Sequence, residues 1–299
     1  MEVFGEVLTA ELVLDAHAEL GEGPVWDAER GLLWWVDILG QRVHGFDPGT
    51  GEDVTFDTGS PVGAVTLTDD GRLLLALARG LALLNPETGA IDAVSTFEPS
   101  IPPLRCNDAK CDPRGRLWVG RMTPDAAAGA GSLVRIDADL RSTTRLTGLT
   151  IPNGLGWTGD GRQLYFLDSK WGDLRVFDYD VETGEAGPGR SVLRFPDDGG
   201  SADGLTVDAE DHVWVARWGA RGVIRIAPDG RIVQRISVPA SQVTSCTFGG
   251  EHLDELYITT ASEFFTPADH AREPQAGALY RVRPGVRGRH PDRWRVNPA

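Results

Sequence analysis

Glu22, Asn107, Asn153 and Asp203 are oxygen-bearing side chains that stand at the same place in four copies of one recurring stretch. The clearest copy is Ser201 to Gly230, SADGLTVDAEDHVWVARWGARGVIRIAPDG. Asp203 heads an apolar strand there, a polar turn follows at Asp208 to His212, and two further strands run Val213-Trp-Val-Ala-Arg and Val223-Ile-Arg-Ile-Ala. The copies begin at Glu22, Val62, Asn107, Asn153, Asp203 and, more loosely, Ser245, in steps of 40, 45, 46, 50 and 42 residues. Asn and Asp are common at strand ends, so any one head also reads as a turn residue. Four polar heads in six are harder to explain that way. The turns already have their own markers in Gly31, Gly71, Gly115 and Gly161, 8 or 9 residues further on.

Glu22, Asn153 and Asp203 offer two anionic oxygens and one neutral carbonyl oxygen. Brought to one point, they would repel unless a cation held them together. An all-oxygen donor set with no thiolate or imidazole suits a hard divalent ion, Ca²⁺, Mg²⁺ or Mn²⁺, with Zn²⁺ left open as a fourth identity. Three protein ligands would leave positions for water and substrate. Arg105 and Asn107 lie two apart and so on one side of an extended segment. An Arg leading into an inner strand is either paired, here with Asp108 or Glu22, or holds a polar ligand. The segment Arg121 to Gly131, which carries Asp125, is long for a turn and reads as a lid over the mouth of the site.

A period in the forties with several short strands per unit marks a β-propeller with four-stranded blades. A right-handed solenoid competes, but its coils are usually shorter. Six repeats predict an all-β fold of six blades whose heads ring one end of a central channel. The sixth repeat is one strand short, and Leu8 to Leu14 (LTAELVL) is expected to pair with it and close the ring, hiding edges that an open array would expose. The repeat fills residues 15 to 285 without a linker, which predicts a single domain over 1–299. Residues 286–299, with Arg281 and Arg283 just before them, are Arg-rich and expected to be solvated and partly ordered.

A net charge of −15 argues against nucleic acid and against anionic membranes. The N-terminus, MEVFGEVLTAELVLDA, has no basic region and no long apolar core, and no run of about 18 apolar residues could span a membrane. A cytoplasmic location is the expectation. Cys106, Cys111 and Cys246 show no metal spacing and read as buried thiols. The six His residues include no i,i+4 pair and none stands at a head, which argues against an imidazole-based zinc site and a Ser-His-Asp triad. Oligomeric state stays open.

The motifs LGEGPVW, RCNDAKCDPRGRLWVGRM, IPNGLGW and SADGLTVD resemble, in order and spacing, those of the SMP-30/gluconolactonase/regucalcin family. The resemblance spans residues 15 to 285. It implies a six-bladed propeller and a metal-dependent hydrolase that opens the ring of a sugar aldonolactone, a small-molecule substrate. Carried onto this chain, it makes Glu22, Asn153 and Asp203 the ligands of one divalent ion, and Asp203 also the proton donor/acceptor. Arg105 and Asn107 would contact substrate, and a further acidic contact would fall at Asp125. This chain departs from the family pattern there, with Arg121 where Thr is usual and Pro124-Asp125 in place of a Glu pair, which bears on substrate preference. Two alternatives stay open: a hydrolase of a non-sugar lactone or ester on the same metal, and a propeller that binds without catalysis.

Overall fold

Successive side chains of a strand point to opposite faces, so a sheet that is apolar at nearly every position must be covered on both sides. The middle strands are of that kind, as in Leu73–Leu77 (LLLAL) and Gln163–Asp168 (QLYFLD). In the computed structural model, which describes residues 7–296, this requirement is met by a ring of six sheets. Their innermost strands are Gly21–Asp27, Val62–Leu67, Arg105–Cys111, Pro152–Trp157, Ser201–Val207 and Val243–Gly249. Each packs against the next, and the sixth packs against the first, so the ring is closed. The chain is a six-bladed β-propeller, as the repeat spacing predicts.

Six apolar clusters fill the six interfaces between neighbouring blades. The adjacent residues Trp34 and Trp35 illustrate the alternation. Trp34 belongs to the cluster shared with blade 2, and Trp35 to the cluster shared with blade 6. The three cysteines are buried and free. The one helix among the described residues is the short Pro267–Arg272, and no helix there is long and apolar enough to cross a membrane.

Two expectations are revised. The N-terminal segment completes the last blade as expected, but only through Glu11–Leu14, and Leu8–Thr9 forms a further strand on blade 5. Leu8–Thr9 pairs in parallel with Ile236 and Ser237 of blade 5, which becomes five-stranded, and Glu11–Leu14 then pairs antiparallel with Leu279–Val282 as the outer strand of blade 6. Ala10, between them, is buried in the core shared by blades 5 and 6. The second correction concerns the Arg-rich tail, which is not a solvated end. Trp294 is 3% exposed in the core between blades 2 and 3, and Arg289 and Arg293 pair with Asp211 and Glu29 on the turns of blades 5 and 1. Acidic turns on the far end of the ring give the basic tail its partners. Residues 1–6 and 297–299, which belong to the predicted domain and, for the latter, to the Arg-rich tail, lie outside the described residues.

Candidate functional site

Every inner strand carries an irregularity just after its first residues. Pairing of the first two strands of blade 5 runs Ala202↔Arg217 and resumes at Leu205↔Val215, so the inner strand holds one residue more than its partner. The same extra residue occurs at Glu22/Val25, Val62/Ala64, Cys106/Ala109, Pro152/Leu155 and Val243/Ser245. A β-bulge frees its residues from the ladder and re-aims their side chains. Asn107-Asp108, Asn153-Gly154 and Asp203-Gly204 are such bulge dipeptides, and Glu22 stands at the edge of another. Sequence periodicity places the heads; the bulges bring their side chains together.

Asn153 Nδ2 donates to Asp203 Oδ1 and, at 3.2 Å, to Ser169 Oγ. The carboxyls of Glu22 and Asp203 lie within hydrogen-bonding reach of each other. Glu22 Oε2 also accepts from the Gly23 N–H at 2.9 Å. All three side chains are buried, at 6%, 4% and 7% exposure for Glu22, Asn153 and Asp203. Burial raises the pKa of both carboxyls well above the usual carboxylate range. The charge of Asp203 and then of Asp108 adds to the effect on Glu22, and the charge of Asp108 adds to that on Asp203.

The donor set fits a divalent cation. Asn153 Oδ1 is buried and has no hydrogen-bond partner, so an amide oxygen on a side chain that touches Asp203 awaits one. Two adjacent buried carboxyls relieve their repulsion either by holding protons or by sharing a cation. Among the described residues no three His, Cys, Asp or Glu side chains are arranged to hold a metal; this set instead combines two carboxylates with an amide.

Arg105 is half-buried, and the structure removes one of the two readings of it, the ion pair. Among the described residues it pairs with neither Asp108 nor Glu22. Its Nη1 donates to Cys106 O at 2.9 Å and to Asn107 Oδ1 at 2.7 Å, which places Arg105 and Asn107 on one side as the spacing predicts. Burial lowers its pKa, and Glu263 is the leading charge that opposes this effect. Asn107 Nδ2 is bonded to Pro152 O at 3.0 Å, so this side chain ties blade 3 to blade 4 while holding Arg105. Asp125 is exposed on the loop between Leu117–Met122 and Gly131–Ile136, at the same end of the ring as the heads. No hydrogen bond or ion pair among the described residues joins it to the cluster.

Four participants escape the sequence reading. Asp108 occupies the bulge position that Gly154 and Gly204 hold in the next two blades, a signal that the head alignment contained. Its Oδ2 is buried without a partner, and its pKa is raised by burial and lowered by Lys110. Lys110 donates to the Leu205 carbonyl from within the channel. A cavity of about 200 Å³ beneath the heads is lined by Asp108, Lys110, Thr66 and Ser245, and residues Arg289–Asp292 of the tail line it too. Ser169 and Glu263 come from loops outside the repeat heads, where periodicity carries no information.

Known proteins agree with this architecture. Residues 20–262 match the family model described as SMP-30/Gluconolactonase/LRE-like region. The chain is similar to the pentonolactonase XacC of Haloferax volcanii, with 37% identity over 94% of this chain and 97% of that protein. It is also similar to regucalcin of Xenopus laevis, with 33% identity over 93% and 95% of the two chains. Among solved structures it superimposes on regucalcin of Agrobacterium tumefaciens, described as a calcium-binding protein, with a TM-score of 0.92, 30% identity and coverage of 97% and 99%. From its bulged inner strands to its match along most of its length, this chain belongs to the SMP-30/gluconolactonase/LRE-like family.

Proposed function

We propose that this protein hydrolyses the ring ester of a sugar lactone and depends on one divalent ion held by Glu22, Asn153 and Asp203. The observation that carries the reading is the convergence of two buried carboxyls and an unpartnered amide oxygen beside a half-buried arginine that has no acidic partner among the described residues. The name of the Haloferax relative supports a lactone substrate, and the description of the Agrobacterium neighbour favours calcium.

Each side chain has a task in that reaction. Arg105 has Nε and Nη2 without hydrogen-bond partners among the described residues and orients the substrate with them, while Asn107 fixes the guanidinium. When bound, the ion supplies Lewis-acid polarisation of the lactone carbonyl. Asp203 accepts a proton from the attacking water and delivers one to the ring oxygen as the acyl C–O bond breaks, giving the open hydroxy acid. Burial of the cluster excludes bulk water and strengthens these interactions. Asp125, on the loop at the mouth, reaches the part of the substrate farthest from the ester.

The test is a panel of aldonolactones assayed after chelation and after return of Ca²⁺, Mg²⁺, Mn²⁺ or Zn²⁺. Ring opening that disappears with chelator and returns with metal is the expected result. A protein that stays folded yet opens no lactone with any metal would sink the reading in favour of a binding propeller. Faster turnover of non-sugar lactones or aryl esters would move the substrate class.

A further inference from the structure

The turn Ser262 to Phe265 follows the second strand of blade 6 at the end of the ring where the heads converge. Its approach is fixed against the lead-in to blade 1: Ala261 bridges to Leu20, two residues before Glu22, and Gln242 Nε2 donates to Glu263 O at 2.8 Å. Ser262 N donates to Glu19 O at 3.1 Å, and Ser262 Oγ to Ala18 O at 3.0 Å. Phe265 N closes the turn on Ser262 O at 3.2 Å, and a capping box at Thr266 and Asp269 pins the start of the short helix next to it.

Two features of so firmly held a turn have no use in the fold. Phe264 takes φ +63°, a region that a bulky residue enters only under strain, and its side chain is 86% exposed. Glu263 is half-buried, yet its carboxylate makes no hydrogen bond or ion pair among the described residues. Burial raises its pKa, and the charge that opposes this effect is Arg105, from blade 3 on the opposite side of the ring. Strain and an unsatisfied acid that are retained together at a site point to a functional constraint.

Resting on the lactonase reading, we propose that Glu263 is a specificity-determining residue that faces Arg105 across the mouth and selects neutral polyhydroxylated lactones over anionic ones. No ion pair joins the two, so a gap separates an open donor from an open acceptor. A polyol spans such a gap, giving a hydroxyl proton to Glu263 and accepting from Arg105. An anionic substituent would gain from Arg105 but meet Glu263 and the nearby Glu19. The chain's net charge of −15 opposes approach of the same ligands.

The experiment compares D-glucono-1,5-lactone with its 6-phosphate for the metal-loaded parent, Glu263→Gln and Glu263→Lys. The parent should prefer the neutral lactone. Glu263→Gln should raise KM for it by about tenfold with kcat little changed, and should narrow the preference over the phosphate by at least that factor; Glu263→Lys should narrow it further. A merely structural role would lower both substrates in proportion. An active parent whose preference is the same in all three proteins would overturn this inference and leave the lactonase reading standing. A parent inactive on both lactones would overturn the two together.

Discussion

In the proposed reaction Asp203 has two tasks, as a donor to a cation and as a carrier of protons, and a single substitution separates them. Asp203→Asn keeps the shape and one oxygen but removes the charge and the exchangeable proton. Lactone turnover should fall on the order of 10²-fold or more, as for loss of a general acid–base, and saturating metal should not restore it. Full activity at high metal would make Asp203 a ligand alone. The burial of Glu22 and Asp203, and then the charges crowded beside them, also set how stability depends on pH. Folding raises the pKa of Glu22 and Asp203 above the unfolded carboxylate range of about 4, so the folded state binds protons more tightly than the unfolded chain. Stability from these groups is full below that range and is lost as pH rises through the raised values. Chelator-treated protein should therefore melt at lower temperature as pH rises from about 4 towards neutrality, and calcium should reverse the loss. A melting temperature independent of pH in the chelated protein would show that the carboxyls do not repel. At this scale the residue types are legible in the sequence. Asp108 is the exception: the head alignment contains it opposite Gly154 and Gly204, but only the bulge turns its carboxyl inward with the heads.

Among the elements, the sequence separates acids that build turns from acids that build the site, and the structure supplies the reason. Asp27, Asp112 and Asp208, at or just after the ends of inner strands, each accept backbone N–H groups of the following turn. Asp37 and Asp168, whose matching positions are visible in the sequence, close second strands. They accept the N–H groups that lead into their own blade, at Leu20 (2.9 Å) and Thr150 (2.6 Å) respectively. Glu22, Asn153 and Asp203 close no such turn; they lie against one another, and Glu22 accepts only the N–H of its neighbour Gly23. That arrangement needs inner strands close together, and Gly154 shows how close. A Cβ there would lie 2.7 Å from Asp203 O and 2.8 Å from Leu205 N, both backbone atoms that cannot swing away. Gly154→Ala should push the two strands apart, costing about 1–3 kcal/mol of stability and weakening metal binding measured by calorimetry. Unchanged metal affinity in a destabilised variant would show that strand spacing does not govern the site.

For the whole molecule, closure depends on both ends of the chain. The N-terminal segment covers the outer edges of two neighbouring blades, and the tail reaches turns around the far end of the ring. Removing residues 1–14 should expose edges of blades 5 and 6 at once and strip Ala10 from their shared core. The melting temperature should drop on the order of 5 °C or more. A truncated protein that melts like the full chain would show that closure does not need this segment.

The sequence by itself determined the repeat, the number of blades, the buried alternation of the strands and the chemical types at the heads. Each of these comes from local periodicity, which a linear chain displays directly. The strand missing from the sixth repeat marked the edge that Glu11–Leu14 fills, but the tertiary structure alone decided that Leu8–Thr9 pairs with blade 5, because a two-residue strand has no periodicity to read. It also decided that Arg105 is not paired with Asp108 or Glu22, that Arg289, Arg293 and Trp294 of the tail pack on the ring, and that Glu263 and Arg105 share one end of it. Those relations join residues far apart around a ring, and nothing in their spacing along the chain records the distance between them in space.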